Sequence, residues 1–176
     1  KWDGVEADGM EADDLVCIWA YEAREMDLDF VVCGIDKDLK QIPGHHYNYN
    51  KKIGEFVDDD KANLNLMLQC LTGDTSDNIP GIKGIGPKKA AKILEGVPMG
   101  QRWESVKAAW KENKAGDPHL SRDLLTMLTT WEELEEMSKR GRNEPLLLDK
   151  TPECEQDVEP KGEDNVQVSG LSTVSE

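Results

Sequence analysis

Seven acidic side chains fall into three short groups along this chain of 176 residues. One group opens a predicted helix, one follows a predicted strand, and one lies in a glycine-containing loop. In chain order the acids are Glu11, Asp13 and Asp14, then Asp36 and Asp38, then Asp74 and Asp77. Any one of them alone is more typical of a solvated surface residue. If the groups converge, their charges must be neutralised, because two carboxylates about 4 Å apart repel by roughly 4 kcal/mol at an effective dielectric of about 20.

Hard divalent cations are the natural counter-charge for converging carboxylates, since Mg²⁺ binds a few carboxylate oxygens together with water. Two such ions would suit phosphodiester hydrolysis, because one lowers the pKa of the attacking water and both stabilise charge on the phosphate. The cysteine pattern argues against a zinc site, because the four cysteines show no C-x-x-C spacing. An EF-hand is excluded, because the loop 74–78 lacks its ligand spacing. His45 and His46 are predicted to lie on the surface of a hairpin.

The stretch 78–94 combines glycines, branched apolar residues and lysines, and contains no acid. Gly84 and Gly86 permit a tight turn and the close approach of another chain. The backbone amides that follow stand at a predicted helix N-terminus, which is a phosphate-binding position. The lysines around this turn are Lys83, Lys88, Lys89 and Lys92. The pattern indicates sequence-independent contact with a nucleic-acid backbone, and the alternative is an ordinary Gly-Pro turn with solvated lysines.

The elements that must position these groups follow from hydrophobic periodicity and from turn residues. Helices are predicted over residues 10–27, 59–72, 87–95, 101–114 and 118–139. A buried strand is predicted over residues 30–35 and a hairpin over residues 46–57. The second acid group then lies just past the carboxyl end of a strand, where functional groups gather in open α/β sheets. Three tryptophans are expected to anchor the later helices by packing: Trp103, Trp110 and Trp131.

Charge is unevenly distributed along the chain. The net charge of −15 argues against a nucleic-acid partner when taken whole. Residues 1–60, however, carry −10, residues 61–148 carry +1, and residues 149–176 carry −6. The predicted phosphate-binding turn therefore lies in a near-neutral segment, and the last segment is predicted to be a disordered acidic tail. No apolar run is long enough to span a bilayer, and no signal peptide is visible, so a cytoplasmic protein with no membrane partner is expected.

Four blocks in this order resemble the 5′-nuclease superfamily. They are Glu11-Ala12-Asp13-Asp14, then Asp36-Lys37-Asp38-Leu39, then Thr72-Gly73-Asp74 with Ser76-Asp77-Asn78-Ile79-Pro80-Gly81, then Gly84-Ile85-Gly86. The superfamily includes flap endonucleases, the 5′-nuclease domains of bacterial DNA polymerases, and phage 5′→3′ exonucleases. The resemblance covers about residues 5–95 and is closest in style to the phage enzymes.

The resemblance implies an α/β, PIN-like 5′-nuclease fold with a mostly parallel central sheet flanked by helices, followed by a helical helix–three-turn–helix subdomain. Residues 1–72 would form the C-terminal part of the metal-binding nuclease core, residues 73–147 the DNA-binding helices, and residues 148–176 the acidic tail. The family's first catalytic strand is expected upstream of Lys1. Residues 1–176 alone are therefore expected to have little activity.

The resemblance also implies an activity: metal-dependent 5′→3′ exodeoxyribonuclease or 5′-flap endonuclease, acting in DNA replication or recombination with two Mg²⁺ or Mn²⁺ ions. Glu11, Asp13 and Asp14 would hold or support the first ion. The second ion would be held or supported by Asp36, Asp38, Asp74 and Asp77. Double-stranded DNA with 5′ ends, nicks or flaps would be contacted by Lys83, Gly84, Gly86, Lys88, Lys89 and Lys92. A K⁺ ion is expected near Ser76, Ile82 and Ile85, and the host cytoplasm is the expected location if a phage encodes the protein.

Two other functions stay open on the sequence alone. One is a non-catalytic helix-hairpin-helix DNA-binding module whose carboxylates are solvated. The other is an inactive interaction domain whose acidic tail docks onto a replication protein. The seven acids favour the enzyme, because a pure DNA-binding module gains nothing from concentrating anions beside its phosphate site.

Overall fold

The computed structural model describes residues 4–5 and 9–141, so the predicted tail at 148–176 lies outside the described residues. The described residues fall within one unit, Lys1–Leu146. The first elements are helix α1 (Ala12–Glu25), strand β1 (Val31–Cys33), a 3₁₀ turn (Asp38–Gln41), and strands β2 (Gly44–Asn48) and β3 (Ile53–Val57). Helix α2 (Asp59–Thr72) and the two-residue strands β4 (Gly73–Asp74) and β5 (Ile79–Pro80) come next. The last helices are α3 (Pro87–Leu94), α4 (Met99–Glu112), α5 (Pro118–Leu125) and α6 (Trp131–Gly141).

The first three strands form one sheet in the order β1-β2-β3. The β1–β2 pairing is parallel, with Val31 opposite His45, and the β2–β3 pairing is antiparallel. One face of this sheet is buried, and there Val32 packs with Cys17 and Ala20 of α1 and with Ile42. The fold is therefore mixed α/β as predicted, and the mostly parallel central sheet stays a prediction.

A second core joins helices α2 to α5. The side chains that form it include Met67 and Leu71 of α2, Leu94 of α3 and Trp110 of α4. The indole N–H of Trp110 donates to the carbonyl of Cys70 at 2.9 Å, so its one polar group is satisfied inside the core. Because α2 packs in this helical core, it belongs structurally with the helices that follow it, while the predicted boundary after residue 72 stays a prediction.

Helices α2 and α4 are joined by a nearly buried cation, Arg102. Its guanidinium donates to both carboxylate oxygens of Asp60, at 2.9 and 2.8 Å, and to the Asp60 carbonyl at 2.7 Å. A two-pronged contact of this kind is geometrically specific. It fixes the position of α4 against the first turn of α2.

The boundaries of α2 match the prediction to the residue, and local chemistry explains both ends. The Asp58 carboxylate accepts the amide of Lys61 at 2.7 Å, which caps the N-terminus. The helix stops at Gly73, whose φ of +71° is readily reached by glycine.

The predicted single helix over residues 118–139 is wrong. The chain leaves the helix at Thr126 (φ −81°, ψ 120°), and α6 begins only at Trp131. The Glu133 carboxylate accepts the amides of Thr129 and Thr130 at 2.7 and 3.3 Å, which starts a new helix there. Between the two helices the Leu128 amide is free to donate to Asp14 at 2.9 Å.

The surface prediction is wrong for His46 and right for His45. His46 is buried, and its Nε2 lies 2.8 Å from the carbonyl of Ile42. The exposed ring of His45 packs beside Phe56. Trp110 is a core residue as predicted, and the half-buried Trp131 donates to Glu22 at 2.6 Å. None of the helices within the described residues is long and apolar enough to cross a membrane.

Glu55 of β3 links the sheet to α2, and its protonation is expected to tune stability. Its carboxylate contacts Lys40 and Lys61, each at 2.7 Å, and hydrogen bonds from these lysines lower the pKa of Glu55 to about 2. The folded pKa is below the ordinary value of 4.5, so the stabilisation is complete above pH 4.5 and is lost as the pH falls toward 2.

We expect Glu55→Gln to lower the free energy of unfolding at pH 7 by on the order of 1 kcal/mol, since solvent screens a pair that is one-third exposed. Urea denaturation at pH 7, 5 and 3 measures the difference from wild type, which must shrink with falling pH. Glu104→Gln, which removes an exposed helix-surface partner of Lys107, is the matched control and should change little. A difference that is constant with pH would contradict the role of Glu55.

Candidate metal centre and nucleic-acid interface

Three of the predicted acids meet in space: Asp38, Asp74 and Asp77. Each offers one carboxylate oxygen, and these oxygens lie within 4.8 Å of one another. Asp38 opens the 3₁₀ turn that follows β1, Asp74 ends β4, and Asp77 lies in the turn between β4 and β5. Two of the sequence groups therefore converge.

Asp74 is the most deeply placed of the three, with only 1% of its surface exposed. Its Oδ1 accepts the amide of Ser76 at 2.8 Å, and its Oδ2 lies 2.7 Å from the Lys37 ammonium. The contact between Oδ2 and Lys37 is an ion pair whose angles do not meet those of a hydrogen bond. Among the described residues, Oδ2 therefore accepts no hydrogen bond. The adjacent Lys37 ammonium, more than opposing burial, keeps the pKa of Asp74 below its ordinary value.

Two glycines hold Asp74 in place by letting the backbone approach itself. A Cβ on Gly81 would lie 2.1 Å from the carbonyl carbon of Thr72, and a Cβ on Gly73 would lie 2.3 Å from the amide nitrogen of Gly81. Gly73 also pairs with Pro80, and the Ile82 amide donates to the Leu71 carbonyl at 2.9 Å. No side chain fits at either glycine. The close approach of these two backbone segments holds the loop that carries the acids against the end of α2.

Asp38 is half-buried, and burial is the main reason why its pKa is raised. Its carboxylate Oδ1 accepts a hydrogen bond from the side-chain amide of Gln69 on α2. Its own backbone amide donates to Asp36 at 3.0 Å. Asp36 is exposed and lies outside the group of three oxygens.

The first acid group lies at the start of α1 and lines the same cavity as two members of the cluster. This cavity of about 580 Å³ is bordered by five of the predicted acids: Glu11, Asp13, Asp14, Asp38 and Asp77. The pKa of Glu11 is raised, first by the charge of Asp13 and in part by that of Asp77. Electrostatics thus couples the first group to the third. Asp14 is partly used by the protein itself, because its Oδ1 accepts the Leu128 amide.

The predicted phosphate-binding turn leads into α3. Gly84 has a φ of +82° and open space where a side chain would be, and Gly86 (φ −94°) is the residue before α3. All four lysines of the turn are exposed, and the Lys89 ammonium donates to the Gly84 carbonyl at 2.9 Å. At the expected monovalent-cation position, the Ile82 carbonyl accepts the Ile85 amide, and Ser76 is bound to Asp74 through its own amide.

Four residues with a role in this geometry were given none in the sequence predictions, although all but Gln69 lie within the blocks that carry the resemblance: Lys37, Gln69, Gly73 and Gly81. Lys37 stands between two predicted ligands in the sequence, which is a signal that a cation belongs to the cluster. Gly73 follows directly on a helix end, a position where glycine is common. No local pattern marks Gln69, because its contact with Asp38 spans 31 residues.

Residues 61–144 match the family model described as 5′-3′ exonuclease, C-terminal SAM fold. This part of the chain is therefore similar to the 5′-3′ exonuclease family. The matched region of the exonuclease family includes Asp74, Asp77, the glycine turn and all four lysines, and it excludes Asp38 and the first acid group.

Curated proteins that are similar to this chain include bacterial DNA polymerases. It is 39% identical to DNA polymerase I of Rhizobium leguminosarum over 100 residues, covering 52% of this chain and 10% of that protein. It is 29% identical to the thermostable DNA polymerase I of Thermus aquaticus over 163 residues, which cover 88% of this chain and 19% of that protein. The chain thus spans about a tenth to a fifth of the length of these curated relatives.

A solved structure of T5 5′-exonuclease with divalent metal ions (zinc) bound is similar in fold. The TM-score is 0.52 at 17% identity, and the similarity covers 75% of this chain and 59% of that one. The structural similarity concerns the fold alone. The family match over residues 61–144 and the polymerase relatives confirm the resemblance to the 5′-nuclease superfamily, and the purely non-catalytic DNA-binding module is not favoured.

The close packing at Gly81 makes a test of how the acid loop is held. We expect Gly81→Ala to destabilise the chain by about 3 kcal/mol or more, because the new methyl group meets backbone that cannot move aside. Gly86→Ala is the control in the same loop; its methyl group enters open space, and a change below about 1 kcal/mol is expected. Thermal unfolding followed by circular dichroism measures both, and equal midpoints for the two variants would refute the packing argument.

Proposed function

We propose that this chain is part of a nuclease that hydrolyses DNA from 5′ ends, nicks or flaps with two Mg²⁺ or Mn²⁺ ions, in DNA replication or recombination. The observation that carries the proposal is the meeting of Asp38, Asp74 and Asp77 oxygens within 4.8 Å, in a chain whose residues 61–144 match the 5′-3′ exonuclease family model. A DNA-binding surface alone would not need this arrangement, because it places anions where a phosphate must come.

The donor set fits a divalent ion. Carboxylate oxygens are hard ligands, and two charges 4.8 Å apart repel by roughly 3 kcal/mol at an effective dielectric of about 20. Lys37 offsets only one of the three charges. Asp38, Asp74 and Asp77 would hold one ion. Asp36 would support Asp38, because its carboxylate accepts the backbone amide of Asp38. When bound, such an ion lowers the pKa of a water molecule and stabilises negative charge on the phosphate.

Glu11, Asp13 and Asp14 would hold or support the other ion. Their place on the wall of the cavity that Asp38 and Asp77 also line supports this role. Asp14 contributes chiefly by orientation, since the Leu128 amide already binds one of its oxygens. The cavity would receive the scissile phosphate between the two acid groups.

The turn before α3 would grip the duplex. Its glycines carry no side chain, and its lysines Lys83, Lys88, Lys89 and Lys92 are exposed, so amides and ammonium groups are both accessible to phosphates. Gly84 and Gly86 would allow the DNA backbone to come close. A K⁺ ion near Ser76, Ile82 and Ile85 belongs to this proposal, as do residues 73–147 acting as a helix–three-turn–helix subdomain.

The described sheet supports a further part of the proposal. Strand β1 pairs only with β2 among the described residues, and Val31, Tyr47 and Phe56 are exposed on one face of the sheet. We infer that a further strand and helices complete a mostly parallel sheet in the working nuclease. Residues 1–176 alone are accordingly expected to cleave DNA slowly.

The test of the metal centre uses Asp77→Asn in the natural protein that carries these residues. Asp77 is exposed, so the substitution should leave folding intact. We expect Mg²⁺-dependent cleavage of 5′-labelled flap and nicked duplex DNA to fall by roughly 100-fold, because one anionic ligand is lost. Asp123→Asn removes an equal charge from the wall of the same cavity and should change the rate little. Cleavage that needs no metal, or that survives Asp77→Asn, would refute the proposal.

The DNA contact is tested with Lys83→Ala combined with Lys88→Ala. Binding of duplex DNA should weaken for every sequence alike, and the slope of log K against log salt should become shallower by about 2, since two phosphate contacts are lost. Fluorescence anisotropy at several salt concentrations measures this slope. Lys111→Ala with Lys114→Ala is the charge-matched control. If the control pair changes the slope as much, the lysines act only through net charge.

A further inference from the structure

Two glutamine side chains form a hydrogen-bonded chain that ends on Asp38. The Gln41 amide nitrogen donates to the Leu125 carbonyl at 2.9 Å and to the Gln69 side-chain oxygen at 2.7 Å. The Gln69 amide nitrogen in turn donates to Asp38 Oδ1. Both glutamines are half-buried. The chain therefore links the 3₁₀ turn, α2 and the end of α5 to one carboxylate of the cluster.

The direction of these hydrogen bonds is fixed by the last acceptor. The Leu125 carbonyl can only accept, so Gln41 must present its NH₂ group, and both of its hydrogens are used. Gln69 must then present its oxygen to Gln41 and its NH₂ group to Asp38. A reversed Gln69 amide would place an oxygen against the carboxylate and a nitrogen against a nitrogen. Gln41 thus sets the orientation of Gln69.

A glutamine is suited to orient a metal ligand in this position. A lysine or arginine would also fix a carboxylate, but its positive charge would cancel part of the attraction for a cation. The amide of Gln69 is neutral, so it restrains the plane of Asp38 while the cluster keeps its negative charge. Lys37 already contributes one positive charge at Asp74, which makes a neutral donor at Asp38 more valuable.

We propose that Gln69 is a positioning residue that orients Asp38 for a divalent metal ion, and that Gln41 acts through Gln69 by fixing the direction of its amide. The inference rests on the proposed metal centre. Neither glutamine touches the cluster as a ligand: the contact from Gln69 to Asp38 is made by nitrogen donors, which a cation does not bind.

The experiment measures Mn²⁺ binding to the chain by isothermal titration calorimetry. We expect Gln69→Met to weaken binding by about tenfold, the scale typical of groups that orient a metal ligand. Gln41→Met should weaken it by a smaller factor, and the double variant should bind as Gln69→Met does, since the side-chain hydrogen bonds lead from Gln41 to Asp38 through Gln69. Gln101→Met, on an exposed position of α4, is the matched control and should bind as wild type.

A second readout separates positioning from packing. In ¹⁵N spectra, the side-chain NH₂ signals of Gln69, assigned in the wild-type chain by triple-resonance NMR, should shift when Mg²⁺ is added, and those of Gln101 should not. If Gln69→Met unfolds, the shift of the wild-type signals and the effect of Gln41→Met still decide the proposal. The positioning role is overturned if both Gln69→Met and Gln41→Met bind Mn²⁺ as tightly as the wild-type chain. It is also overturned if the Gln69 signals do not shift when Mg²⁺ is added.

The failure of the metal centre would look different. Then the wild-type chain would bind no Mn²⁺, or it would bind Mn²⁺ equally well with Asp77→Asn. Absent binding contradicts both proposals, whereas binding that needs Asp77 but ignores Gln69 overturns only the positioning role.

Discussion

A carboxylate that is removed from water must be paired, because the free energy needed to bury an isolated charge exceeds the net stability of a typical domain. Asp74 meets this requirement with the Ser76 amide on one oxygen and the Lys37 ammonium on the other. The pairing also dictates architecture. Lys37 must come from the turn after β1, and the backbone around Asp74 must fold so tightly that only glycine fits at 73 and 81. The sheet, the acid loop and the end of α2 are held together around this one group.

Local chemistry explains what was predictable. Helix α2 was predicted to the residue because Asp58 caps it and Gly73 ends it, and both signals lie next to the helix they delimit. The α1, α3 and α4 predictions are within two residues at each end for the same reason. The convergence of Asp38 with Asp74 and Asp77 was expected from the resemblance to a family, whereas the chemistry of the acids said only what would follow if they converged.

Long-range contacts explain what was not predictable. The apolar residues between 118 and 139 keep a helical spacing, yet the chain breaks where the Leu128 amide reaches Asp14, 114 residues away. His46 is buried because the parallel pairing with β1 turns that face of β2 inward. The need for Gly81 exists only once β5 lies against β4. These partners are distant in sequence, so no local pattern could reveal them. The start of α6 is different, because Thr130 and Glu133 form a capping box whose Thr-x-x-Glu spacing is visible in the sequence.

The fastening of the acid loop to α2 has a consequence for measurement along DNA. The Ile82 amide is bound to Leu71, so the glycine turn and Asp74 hang from the same last turn of one helix. Under the proposed function, the site that holds the duplex and the site that cuts it are joined by a short segment whose two ends both contact the end of α2. The distance between the phosphate that is bound at the turn and the phosphate that is cleaved is then set by residues 74–84. This distance does not depend on the sequence of the DNA.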